Sequence, residues 1–163
     1  MALLLRTVSK PKWVAPGWME AADVPADALS DLRSSDNALS VWAVEVDHTN
    51  LNVVLAALAS HRDRLDKVDY TILDEAILVP ISIKCVRSEA GTPHVAANAA
   101  HRDLIELTVK KLAHLAHEMM PLDRVRVTER QVRSLLMEAL ASGALDRSRM
   151  KPDLLRDLEP TIG

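Results

Sequence analysis

The residues with the clearest chemical capacity are His94, Asn98 and His101. Spaced at i, i+4 and i+7, they share one face if the segment is helical. There, two imidazoles could approach a metal, or one could act as general base with Asn98 orienting it. These three form the leading candidate catalytic set. A zinc site needs a further protein ligand, however, and no cysteine or carboxylate stands at a spacing that supplies one. No metal site is assigned, and the sequence points to no cofactor. His114 and His117 with Glu118 lack the HExxH order of zinc proteases and read as a solvated helix end.

Two HRD tripeptides, His61-Arg62-Asp63 and His101-Arg102-Asp103, raise the kinase catalytic loop. That loop needs an Asn five residues after the Asp, to hold a metal ion on the nucleotide phosphates. The two positions are Val68 and Thr108, and no glycine-rich phosphate loop, VAIK lysine or DFG occurs. Both tripeptides read instead as polar faces of amphipathic helices. Four glycines, none of them clustered, also exclude a Walker loop and a dinucleotide fingerprint. No GxSxG elbow and no CxxC is present.

Carboxylates at strand ends, Glu45, Asp47, Asp69, Asp74 and Glu75, could in principle hold Mg²⁺ for phosphodiester hydrolysis. A nuclease core of that kind wants an acid two residues before a lysine, and Ser82 stands there ahead of Lys84. The arginines Arg124, Arg126, Arg130 and Arg133 form a candidate binding cluster for a phosphate or an acidic partner surface. Asp123 and Glu129 interleave with them, which leaves little net field.

Bulk properties narrow the class. The 163 residues are 48% hydrophobic and 26% charged, the proportions of one ordinary folded domain. A net charge of −3, no Phe, one Tyr and three Trp argue against nucleic acid, which calls for a basic field or stacking aromatics. The lone Cys85 forms no internal disulfide and fits a reducing, cytoplasmic setting. The opening MALLLR is too short for a signal segment and no run of about 18 apolar residues occurs, so no membrane partner is expected.

Periodicity supplies the framework. Residues 1–38 are irregular apart from a short strand at LLLRTV and a short helix at PADALSDLR, with Trp13 and Trp18 in the loop between them. LSVWAVEV alternates as a strand, and LNVVLAALASHRDRL has helical spacing over about fifteen residues. VDYTILDEAIL and ISIKCV follow as two β-prone runs that could pair as a hairpin, so residues 39–87 form a β-α-β-β region. Residues 94–160 read as helical. A long helix over 94–120 carries Leu112 and Leu115 on its apolar side, Thr128 with Gln131 opens another as a capping box, and PDLLRDLE closes the chain.

The expectation is a single α+β domain in which a small mixed sheet of about 3–4 strands is packed by the helix 94–120 and two to three others. A helix with so wide an apolar side has surface to share. The expected role is therefore a protein-binding or regulatory module, self-associating or engaging another protein, through Leu112, Leu115 and the arginine-bearing helix. The alternative is a small hydrolytic or nuclease-like effector working through His94, Asn98 and His101.

Overall fold

The computed structural model describes residues 2–159. Its backbone is organised by the short strand expected near the start of the sequence. Leu3–Thr7 (β1) opens with three leucines, and Leu4 and Leu5 are both fully buried, on opposite faces of the sheet. A strand covered on both sides reads as a continuous apolar run rather than an alternation. β1 therefore lies inside the sheet, with β2 (Leu39–Val44) antiparallel on one side and β3 (Val68–Asp74) antiparallel on the other.

Outward from β2 come β5 (His101–Ile105) and β4 (Lys84–Arg87), and outward from β3 comes β6 (Val125–Val127). The result is one six-stranded sheet in the order β4-β5-β2-β1-β3-β6, antiparallel at every pairing. It is larger than the three or four strands expected and is not mixed. The hairpin expected between residues 69 and 87 does not form, because β3 pairs with β1 and β6 while β4 pairs with β5. A 3₁₀ turn at Glu75–Leu78, capped by the Asp74 side chain on the Ala76 N–H, separates them.

Helices cover both faces. Leu5, Trp42, Val44, Val68 and Tyr70 meet α2 (Leu51–Ser60), α4 (Glu129–Ala141) and α5 (Pro152–Leu158). Leu4, Leu39, Val41, Leu73 and Leu104 meet α1 (Ala26–Asp31), α3 (Val109–Met119) and Trp13. With few aromatics available, leucine supplies most of the bulk, and each fully buried leucine contributes about 2 kcal/mol of transfer free energy. No helix among the described residues is long and apolar enough to cross a membrane.

The helix expected over 94–120 is three elements. A 3₁₀ turn, Val95–Ala100, leads into β5, and only Val109–Met119 is α-helical. Two local features cut the run. Glu106 takes a left-handed φ of 56°, and Thr108 caps α3 by accepting the Lys111 N–H. The helix expected over 51–65 stops at Ser60, where the chain turns and Arg62 bonds the Lys67 carbonyl. Thus the first HRD tripeptide lies in a turn and the second on a strand. The capping box at Thr128 and Gln131 is present as expected, and Gly143, at φ 76°, ends the chain's run beyond α4.

Candidate binding groove

The three leading residues take up different duties. Asn98 is buried and saturated within its own turn: its Oδ1 accepts the Thr92 Oγ1–H (2.6 Å) and N–H (3.2 Å), and its Nδ2 donates to the Thr92 carbonyl. His101 sits on β5 opposite Trp42, whose ring it meets edge-on at 5.2 Å, and its Nδ1 lies 2.7 Å from Ser88 Oγ. His94 caps the 3₁₀ turn, with Nδ1 accepting the Ala97 N–H. A neutral ring that accepts at Nδ1 carries its proton on Nε2. In this arrangement Nε2 is a donor, not a metal ligand or a base. The three side chains do not share a helical face, and of the three only His94 lines a hollow. Burial lowers the pKa of both histidines.

The arginines divide between the two sides of the sheet. Arg124 bonds the Met119 and Met120 carbonyls at the end of α3 and lies over the Trp13 ring at 5.8 Å. Arg126 grips Asp69 with two bonds of 2.7 and 2.8 Å. Arg130 and Arg133 stand on α4, against the other face. Leu115 is 1% exposed and sealed in the core, while Leu112 is half-buried and packs against that core. The Cys85 thiol is pushed up to about 11 by burial and by Glu75, which leaves it protonated and unreactive at neutral pH. Among the described residues, no three His, Cys, Asp or Glu side chains converge as a metal site.

A different region forms an extended concave surface. Three hollows follow one another on the α2–α4 face. The first, about 150 Å³, is lined by His94, Val53, Ala56 and Ala139. It shares Asn52, Leu135 and Glu138 with a second, of about 430 Å³, that reaches Leu51 and Gln131. The second shares Tyr70 and Val125 with a third, of about 470 Å³, closed by His48, Ile72, Leu122 and Asp123. Along α4 alone, from Gln131 to Ser142, the groove runs roughly 16 Å. Aliphatic walls with a few polar groups between them are the usual make-up of a binding surface.

Tyr70 occupies the middle of this groove. It is 7% exposed, and its hydroxyl has no hydrogen-bond partner among the described residues. Among all the described residues, the one side-chain nitrogen or oxygen sealed from solvent without a partner is Arg6 Nε, outside the groove. The Tyr70 hydroxyl and His94 Nε2 therefore both touch solvent. Burial raises the Tyr70 pKa, so the phenol stays a donor.

The third hollow is a gap in the sheet edge. Val8 N–H bonds Asp69 O and Glu75 N–H bonds Ala2 O, which fixes the parity of β3. Residues 69, 71 and 73 direct their backbone groups at β1, so Val68, Tyr70, Ile72 and Asp74 direct theirs at the β6 side. β6 pairs only as far as Tyr70. Beyond it the Thr71 hydroxyl holds the Asp123 carbonyl, and the chain leaves the edge. Ile72 and Asp74 have no backbone partner on that side among the described residues.

Nothing in the residue spacing marked Tyr70 or Ile72, although Asp74, singled out at a strand end, lies on the same strand. No family model, no curated protein and no solved structure matches the chain.

Proposed function

We propose that the chain is a small protein-binding or regulatory module whose partner lies in the groove between α2, α4 and the β3–β6 edge. The observation that carries this reading is the groove itself, three linked hollows with aliphatic walls and an unpartnered Tyr70 hydroxyl at their centre. Helix α4, one of the two helices from which partner binding is expected on sequence grounds, supplies one wall. The other wall is α2, in place of the segment around Leu112 and Leu115.

Native mass spectrometry of the protein purified from its own host at low salt tests the reading. An added protein mass, or integer multiples of 18.0 kDa, supports it when Asn52→Arg and Ser134→Arg on the groove rim remove the added mass. A strict monomer that retains nothing would refute it. The runner-up, a hydrolytic or nuclease-like effector, has less geometry behind it. His94 faces a hollow with Glu138 on its wall, but Asn98 and His101 point their bonding groups elsewhere.

A further inference from the structure

We infer that the β3 edge beyond β6 receives an extended segment of another protein that bears basic side chains, pairing with Ile72 and Asp74 and setting one side chain against the Tyr70 hydroxyl. This names the partner class of the groove and rests on the protein-binding reading above. Three independent features converge on it.

The first is backbone complementarity. Ile72 and Asp74 offer N–H and C=O groups on one line at an open sheet edge, and an added strand satisfies such groups with its own. The gap is bounded by β6 along the edge and by His48, Leu122 and Asp123 around it. The second is Tyr70, a residue 7% exposed whose hydroxyl has no hydrogen-bond partner among the described residues and which lines both hollows that flank Val125.

The third is charge. Asp123 lines the gap, and Asp74 stands on the same face of β3 as Tyr70 and Ile72. Asp47 precedes the lining His48. None of these three carboxylates has a salt-bridge partner among the described residues. Asp47 is held below the usual carboxylate range by the Thr49 hydroxyl and N–H, so it stays ionised. The nearest basic chains are committed elsewhere, Arg126 to Asp69 and Arg124 to the end of α3. Of the side chains that line the gap, His48 is the basic one and Asp123 the acidic one, with Asp74 beside them on the edge strand.

The test is fluorescence anisotropy of the full chain at low salt with labelled peptides of six residues. One alternates valine and lysine, one alternates valine and glutamate, and a third is the lysine peptide N-methylated at alternate residues. The lysine peptide is expected to bind at least tenfold more tightly than the glutamate peptide, and N-methylation to abolish binding. Tyr70→Phe, which keeps the ring and removes only the hydroxyl, should weaken binding about fivefold, the cost of one hydrogen bond. Asp74→Asn with Asp123→Asn should erase the preference for lysine, and the Ile72 amide should gain hydrogen-exchange protection on binding.

Equal binding of the lysine and glutamate peptides, or of the N-methylated one, overturns the assignment. So does a homodimer that protects the Ile72 amide, because the occupant is then a second copy. If all peptides fail while a protein mass is still held through Asn52 and Ser134, the edge assignment falls and the binding reading stands. A strict monomer ends both.

Discussion

Asp69 and Arg126 face each other across the β3–β6 pair through two parallel hydrogen bonds, 2.7 and 2.8 Å, with the carboxylate almost fully buried. The same carboxylate accepts the Lys10 N–H, so one side chain ties the outermost strand to the loop after β1. Without Arg126, the buried charge would be left to a single backbone donor.

This pair sets an acid dependence. The Arg126 hydrogen bonds, and after them the Lys10 N–H, hold the Asp69 carboxyl below its ordinary value. A depressed carboxyl contributes stability that is present above the unfolded pKa, near 4, and is lost as pH falls through the lower folded value. Urea midpoints measured from pH 6 down to pH 2 should fall in this window, and Asp69→Asn should flatten that part of the curve. An unchanged slope in the variant would place the acid sensitivity elsewhere.

A second pH window belongs to His94 and His101. Burial is the leading cause of the lowered pKa of each, with Asp103 opposing it at His101. The unfolded chain then takes up these protons first, so stability is complete above about pH 6.5 and declines as pH drops toward the folded values. The urea midpoint should be lower at pH 5 than at pH 7.5, with a smaller difference in His94→Gln. Nitrogen chemical shifts of His94 should report a neutral ring protonated at Nε2.

Leu115→Ala should behave as a core truncation. Its side chain is sealed between α3 and the sheet, so the loss should be about 2–5 kcal/mol by chemical denaturation, with no change in native mass at a temperature where the variant is folded. A folded variant with altered assembly and unchanged stability would return Leu115 to a surface role.

Asn98→Ala removes both ends of the contact with Thr92. It leaves the buried Thr92 hydroxyl and carbonyl short of partners, at a cost of about 1–3 kcal/mol. Hydrogen exchange should accelerate at the Thr92 and Ala90 amides, while the Ser88–His101 contact persists. Loss of activity or binding without any loss of protection there would instead give Asn98 a functional role.

How much of this was legible in the residues depends on how many neighbours each element has. β2 announces itself through the alternation of Trp42 and Val44 with Val41 and Ala43, and α4 through Thr128 and Gln131. Both signals are local. β5 does not, because His101-Arg102-Asp103 carries polar side chains at a strand position flanked by β2 and β4, and its apolar residues blend into the helical spacing that begins at Val109. The Thr108 cap was the available sign that the helix starts there. β6 is three residues long and bracketed by arginines, too short for any period. The groove was least visible of all, since Tyr70, Ile72 and Leu135 come from three elements and owe their meeting to where β6 ends.

The placement of β1 has a consequence for the order in which the chain can assemble. Its partners lie far along the sequence: Leu5 pairs with Trp42 on one side and with Ile72 on the other. One side of this strand is satisfied only once residues 39–44 are made and both sides only once residues 68–74 are, and contacts that distant slow the search for the native state. Trimming the first eight residues would leave β2 and β3 without their shared neighbour, dividing the sheet into a β4-β5-β2 ribbon and a β3-β6 pair.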